Sequence, residues 1–87
     1  MLFLSLKDKN IAELSLDGIE YKIIVSKHTS NSGYAPIIIK DLTNEETFIS
    51  DGYIEINNHI FISKWKFEYS ISRENYVPSK ELILEIV

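Results

Sequence analysis

The chain has 87 residues, 45% of them hydrophobic, which is enough for one small domain with its own core and no more. It contains no cysteine, which excludes disulfide bonds and thiolate zinc sites. With 9 basic and 13 acidic residues its formal net charge is −4, and Arg73 is the only arginine, which disfavours binding to nucleic-acid phosphates.

The N-terminal segment MLFLSL is apolar but short. No basic residue precedes its apolar run, and the run is too short for a signal peptide or a membrane span. We therefore expect a cytoplasmic protein with no membrane partner. Abundant isoleucine beside a single arginine is typical of an AT-rich coding source and, with the small size, suits an origin in a phage or another mobile element.

Alternating apolar and polar residues predict three strands early in the chain, because successive side chains of a strand point to opposite faces. These strands lie at 2–6, 11–16 and 19–25. Asp17-Gly18 is typical of a two-residue hairpin turn and places Leu14 opposite Tyr21. A three-residue loop at 8–10 likewise pairs the first strand with the second, so that all three strands form a meander with one apolar face.

The middle of the chain predicts a long loop followed by short strands. Residues 27–35, KHTSNSGYA, are polar and contain a turn around Gly33. The run Ile37–Ile39 is apolar on both parities, as in a strand that is covered on both faces. After a polar connection at 43–46, the dipeptide Asp51-Gly52 predicts a second hairpin, which pairs Ile49 with Ile54.

The stretch at 53–72 holds the only tryptophan and an alternating aromatic row. Phe61, Trp65, Phe67, Tyr69 and Ile71 share one parity, which predicts a strand with one buried face. A two-residue turn at Asn57-Asn58 places Ile54 opposite Phe61, whereas a three-residue turn would place Ile54 opposite Ile62. A straight strand from 59 to 72 would be about 45 Å long, so a bend or bulge near Ser63–Lys64 is predicted.

The C-terminal part predicts a polar loop at 73–80, which contains Pro78, and a closing strand at 81–87. No helical period of useful length occurs anywhere. About seven or eight short strands joined by hairpin turns predict a single all-β domain, either a small antiparallel β-sandwich or a compact barrel. The strands of a sandwich and of a barrel show the same alternation of apolar and polar residues, so the sequence does not distinguish the two architectures.

No residue pattern predicts catalysis, a metal site or a cofactor. His28 and His59 lie in different elements, and neither accompanies the carboxylates or paired histidines of a metal site. His59 fits a turn residue better than a ligand. Ser and Thr residues next to His28 lack a positioned third group for nucleophilic catalysis. We therefore expect a protein that is not an enzyme.

Three features are candidates for binding a protein partner. The first is the polar loop, through Lys27, His28, Asn31 and Tyr34. The second is an acidic group around a turn, formed by Asp41, Glu45 and Glu46, which fits solvated surface or contact with a basic partner. The third is a set of isoleucines whose side chains point away from the predicted core face, so that they form either a second buried layer or an exposed patch. The set consists of Ile24, Ile38, Ile60, Ile62 and Ile83.

These features favour a non-enzymatic protein-binding module, such as an inhibitor, an immunity protein or an accessory protein that occupies the surface of a partner. One alternative is a structural β-module that self-assembles, as a dimer or larger oligomer, through the edges of its sheets. A second alternative is an OB-like binder of single-stranded nucleic acid or of a small ligand.

Overall fold

The computed structural model describes residues 1–6, 10–27 and 33–87, and within these ranges the chain forms eight β-strands and no helix. The strands are β1 (Leu2–Ser5), β2 (Ile11–Leu16), β3 (Ile19–Val25), β4 (Ile37–Asp41), β5 (Glu46–Ser50), β6 (Tyr53–Ile56), β7 (His59–Ser70) and β8 (Asn75–Ile86). Sheet 1 has the strand order β1-β8-β7-β6 and sheet 2 the order β2-β3-β4-β5. The described part of the chain holds no helix long and apolar enough to cross a membrane.

The two sheets pack face to face around one hydrophobic core, as in a β-sandwich. The buried apolar residues are Leu6, Tyr21, Ile23, Val25, Ala35, Ile37, Ile39, Ile56, Phe61, Trp65, Leu82, Leu84 and Ile86. Among the described residues no strand pairing joins the edge of one sheet to the edge of the other, as closure into a barrel would require. The prediction of an all-β fold is confirmed, in its sandwich form.

Two of the three hairpins that were predicted from two-residue turns have the expected register. Leu14 lies opposite Tyr21 in β2–β3, and Ile54 lies opposite Phe61 in β6–β7, which excludes the three-residue alternative. The two central residues of each turn have positive φ, between 51° and 79°. Such turns match the twist of the strands that they connect, which explains why local residue chemistry predicted these pairings.

The predicted pairing of the first strand with the second is wrong. β1 lies in sheet 1 beside β8, with Leu2 opposite Ile86 and Ser5 opposite Ile83, whereas β2 is an edge strand of sheet 2. Loop residues 8 and 9, on which the prediction depended, lie outside the described residues. The apolar side of β1 faces the core in either arrangement, so alternation did not distinguish them.

Asp51-Gly52 does not close the predicted hairpin between Ile49 and Ile54. β5 pairs with β4, and β6 pairs with β7, so these two residues carry the chain from sheet 2 to sheet 1. Gly52 is buried with a φ of 134°, and a Cβ atom there would lie 2.7 Å from the Cβ of Tyr34. Close packing at this crossing therefore requires glycine.

β7 and β8 have 12 residues each and are longer than the other strands. The prediction of a loop at 73–80 is wrong for most of its length, because β8 begins at Asn75, which pairs with Ser70. The turn that joins the two strands lies at 71–74. The two strands thus form a long hairpin, of which only the inner part belongs to the sandwich.

The long hairpin contains a bulge where it leaves the sandwich. Between the pairs Trp65–Leu82 and Phe67–Pro78, β7 has one intervening residue and β8 has three. The prediction of a bend or bulge near Ser63–Lys64 is therefore met by a bulge that lies slightly further along β7, between Trp65 and Phe67. Because β8 has two extra residues, an even number, its side chains keep the same alternation on both sides of the bulge. Phe67 and Pro78 therefore lie on the same face of the hairpin as the buried Trp65 and Leu82.

We call residues 66–79, the outer part of this hairpin, the arm. The molecule is 48 Å long but only 21 Å and 18 Å in its other dimensions, which reflects the length of the hairpin. None of the described core residues lies in the arm. The arm is therefore a two-stranded ribbon, and sheet 2 buries none of its side chains completely.

Candidate functional site

One face of the arm is apolar and exposed. Phe67 lies opposite Pro78, and Tyr69 lies opposite Tyr76, so that these four side chains, which we call the aromatic face, project from the same side of the ribbon. Phe67 is 42% exposed, Tyr69 57% and Tyr76 65%. Ile71, in the turn at the tip, is 86% exposed. Contiguous exposed apolar groups of this kind mark interaction surfaces.

The two tyrosines of the aromatic face hold each other in a defined arrangement. The ring centroids of Tyr69 and Tyr76 are 5.3 Å apart, and the ring planes meet at 71°. An edge-to-face pair of this geometry adds about 0.5–1.5 kcal/mol beyond the burial of area. The opposite face of the ribbon is mainly polar, with Glu68, Ser70 and Asn75. The arm thus presents one ordered aromatic surface.

The arm carries no net charge. It contains two basic residues, Lys66 and Arg73, and two acidic residues, Glu68 and Glu74, so the net charge of −4 belongs entirely to the rest of the chain. An acidic protein repels other acidic proteins over its surface as a whole. The arm is therefore an electrically neutral part of an otherwise acidic chain.

A surface pocket lies at the base of the arm, and we call it the root pocket. Its volume is about 170 Å³, and it is lined by Gly33, Tyr34, Lys64, Trp65 and Phe67. The segment at 33–35 forms one wall because it pairs with β7: the N–H of Trp65 donates to the Gly33 carbonyl at 2.8 Å, and the N–H of Ala35 donates to the Ser63 carbonyl at 3.0 Å. The pocket therefore has a backbone wall held by hydrogen bonds.

The predicted binding loop is brought only partly to this site. Tyr34 is 40% exposed and lines the root pocket. Lys27 is exposed. His28 and Asn31 lie outside the described residues. The structure thus places one of the four predicted loop residues, Tyr34, beside the aromatic face.

The predicted acidic group is divided between surface and interior. Glu45 and Glu46 are exposed, as predicted, but Asp41 is only 1% exposed, and its prediction as solvated surface is wrong. The carboxylate of Asp41 accepts hydrogen bonds from the backbone N–H groups of Thr43 and Asn44, at 3.0 Å and 2.9 Å, and from the side-chain amide of Asn44 at 2.9 Å. It therefore stabilises the turn between β4 and β5.

Asp41 also links the two sheets. The side-chain amide of Asn57, in the β6–β7 turn, donates to Asp41 Oδ2 at 3.4 Å and to the hydroxyl of Tyr21 at 2.8 Å. The hydrogen bonds that the Asp41 carboxylate accepts hold its pKa below the ordinary value of 3.8, and the bond from the backbone N–H of Asn44 has the largest effect. Burial acts in the opposite direction. The buried carboxylate is fully hydrogen-bonded and serves the fold.

We expect Asp41→Asn to destabilise the protein at pH 7, with a difference from wild type that narrows in acid. Because folding lowers this pKa, the carboxylate contributes stability that is present above pH 3.8 and is lost as pH falls through the lower pKa of the folded state. Urea unfolding at pH 7, 5 and 3 measures the difference. Glu55→Gln, on exposed β6, is the control. A difference that is constant from pH 7 to pH 3 would contradict this role.

His59 hydrogen-bonds to a carboxylate, and the two lysines near the arm form local ion pairs. His59 Nε2 lies 2.8 Å from the carboxylate of Asp17, which joins two neighbouring hairpin turns. Lys64 Nζ lies 3.2 Å from Glu85, and Lys66 Nζ lies 3.8 Å from Glu81. Within the described ranges, no group of three or more His, Asp or Glu residues is arranged to hold a metal ion.

The isoleucines on the second parity form neither a buried layer nor a fully exposed patch. All five are half-buried. On the outer face of sheet 2, Ile24 and Ile38 lie between Ile11 and Ile49, in a row that crosses all four strands. Only the ends of this row, Ile11 and Ile49, are exposed.

The arm aromatics were assigned to the core by sequence reasoning, because Phe67 and Tyr69 have the same parity as the buried Phe61. Trp65 is the last buried member of that row. A signal did exist: the predicted strand was too long for a domain of this size, and the polar segment at 73–80 was long enough to be its partner. Together these features indicate a projecting hairpin.

No protein-family model, curated protein or solved structure matches this chain. Its function is therefore inferred from the chemistry of its own side chains.

Proposed function

We propose that this chain is a non-enzymatic protein-binding module that occupies the surface of a partner protein through the aromatic face of its arm. An inhibitor, an immunity protein or an accessory protein acts in this way. The observation that carries the proposal is the exposure of Phe67, Tyr69 and Tyr76 on a ribbon that leaves the sandwich. Tyrosine and phenylalanine are enriched at interfaces, and tyrosine is among the most frequent hot-spot residues.

The size of the aromatic face suits the centre of a protein interface. At about 200 Å² per aromatic side chain, the exposed fractions of the three rings amount to about 330 Å². A standard interface buries about 800 Å² on each partner, with an apolar centre and a polar rim. The exposed polar residues of the turn at the tip, Ser72, Arg73 and Glu74, follow the face directly and supply part of such a rim.

The ion pairs favour a protein partner over nucleic acid. A groove that follows a phosphate backbone needs basic side chains whose charge is not already balanced. Lys64 and Lys66 each lie within 4 Å of a glutamate carboxylate. Two-stranded hairpins are marginally stable alone in water, so a ribbon with one apolar face gains stability when a partner covers that face.

The test is native mass spectrometry of the protein purified gently from the cells that naturally produce it, as wild type and as Y69T/Y76T. Threonine keeps strand propensity but removes both rings. We expect a stoichiometric complex with one other protein for wild type. Each hot-spot ring contributes about 2 kcal/mol or more, so the double variant is expected to bind about 1,000-fold more weakly or worse.

The matched control is Ile49→Thr, which removes an exposed apolar side chain from sheet 2, away from the arm. This variant is expected to retain the partner. Wild-type protein without a stoichiometric partner would overturn the proposal. A homo-oligomer that grows with concentration, and that Y69T/Y76T abolishes, would instead assign the arm to self-assembly.

A further inference from the structure

The root pocket has the dimensions of a single aromatic ring. Its volume of about 170 Å³ is close to that of an engineered apolar cavity, about 150 Å³, that binds benzene. Three of the five lining residues that the structure describes, Tyr34, Trp65 and Phe67, carry rings that can pack edge-to-face or in offset stacks against a bound ring.

We propose that the root pocket binds one uncharged aromatic side chain of the partner protein, an inference that rests on the proposed function. Phe67 belongs to both the aromatic face and the pocket, so a partner that covers the face passes over the pocket opening. Interfaces concentrate their binding energy in aromatic side chains that fill well-packed pockets, with near-neutral contacts around them. The pocket and the face together form such an arrangement.

The charges at the pocket favour an uncharged ring. Among the described lining residues, Lys64 is the one ionisable cation, and the Glu85 carboxylate lies 3.2 Å from its Nζ. Because this pair balances its own charge, the pocket favours neither a carboxylate nor an ammonium group.

Gly33 keeps the pocket in its present shape. Its φ is 82°, and a Cβ atom there would lie 2.6 Å from Cε2 of Phe67. The Phe67 ring thus packs directly on the backbone of Gly33. Any side chain at position 33 forces the ring to move and changes the wall that the pocket shares with the aromatic face.

The test uses N-acetyl-L-phenylalanine amide as the probe and N-acetyl-L-alanine amide as its control, each titrated into the full chain and followed by the amide and indole NMR signals. We expect saturable shifts with the phenylalanine probe at Gly33, Tyr34 and Trp65, with a Kd on the order of millimolar for a fragment of this size. The fluorescence of Trp65, the only tryptophan, gives a second readout.

Gly33→Ala is expected to weaken binding of the phenylalanine probe at least 10-fold. Gly18→Ala is the matched control, because Gly18 has a similar φ of 79° with nothing within 4 Å of its Cβ position, and it should bind as wild type does. Phe67→Ala removes the same pocket wall from an exposed position and should also abolish the shifts.

Each outcome has one meaning. The proposal that the root pocket binds an aromatic side chain would be overturned by any of three results: absent shifts, equal shifts with the alanine probe, or unchanged binding of the phenylalanine probe by G33A and F67A. If the partner complex still depended on Tyr69 and Tyr76, the proposed function would survive that result. Probe binding as expected, in a protein that captures no partner, would support the pocket and overturn the proposed function.

Discussion

Gly52→Ala is expected to lower the free energy of unfolding by about 2–6 kcal/mol, although it adds a single methyl group. Two effects combine: a φ of 134° is open essentially to glycine alone, which costs an L side chain about 1–3 kcal/mol, and overpacking costs about 1–3 kcal/mol more. The added Cβ would lie 2.7 Å from the Cβ of Tyr34 and 3.0 Å from the carbonyl oxygens of Ala35 and Ser63.

The groups that surround Gly52 cannot shift independently, because hydrogen bonds connect them to one another. Ser63 donates its N–H to the Gly52 carbonyl at 2.8 Å, and its buried hydroxyl donates to the Ala35 carbonyl. Moving one of these groups therefore breaks hydrogen bonds at the point where the chain crosses between the sheets. Chemical denaturation measures the effect, with Gly18→Ala as the control at a cost of about 1 kcal/mol. Equal costs for the two variants would refute steric crowding at Gly52.

Phe61→Ala is expected to cost about 3–5 kcal/mol, a large fraction of the total stability of a domain of this size. Phe61 is fully buried, and its ring centroid lies 5.5 Å from that of Tyr21 in the other sheet. The substitution thus removes buried area, leaves a cavity and deletes a contact between the two sheets.

Tyr69→Ala, on the same strand and the same parity, is the matched control for Phe61→Ala. Tyr69 is exposed and loses chiefly its edge-to-face contact with Tyr76, so we expect a cost below about 1.5 kcal/mol. Thermal and urea unfolding of the two variants compare them directly. If Tyr69→Ala cost as much as Phe61→Ala, the arm would belong to the cooperative core, and its aromatic face would be structural.

The contrast between Phe61 and Tyr69 also explains how far the fold was predictable. The alternation of apolar and polar residues shows which side chains share a face of a strand. It continues without a break from Phe61 to Tyr69, because the two extra residues of the bulge lie in β8 and β7 has none. It contains no information on what covers that face. Sheet 2 covers the inner part of β7 and buries nothing completely in the arm, and this difference arises from tertiary packing alone.

The turns show a similar limit. Asp17-Gly18 and Asp51-Gly52 are the same dipeptide, yet the first closes a hairpin and the second crosses between sheets. Local chemistry indicates where the chain reverses or bends, but partner choice over long distances depends on the whole core. β1 illustrates this, since both β2 and β8 offered it a suitable apolar face.

Of the candidate site, only Tyr34 was predicted, because the sequence assigned the aromatic face to the core. Tyr34 was predicted to be available for binding and lies at the root pocket. Asp41 resembled its acidic neighbours in sequence, and only the three-dimensional approach of Asn57 reveals that its carboxylate joins the sheets. Such contacts between distant turns leave no local pattern.

The pairing of the first strand with the last has a mechanical consequence. β1 and β8 run antiparallel with Leu2 opposite Ile86, so both ends of the described chain emerge on the same side of sheet 1, remote from the arm. Tension applied between these ends would break the β1–β8 hydrogen bonds one after another, starting at the chain ends. It would not load all of these bonds at once in shear. A molecule tethered by both ends would therefore shed β1 at low force while the remaining strands kept their places.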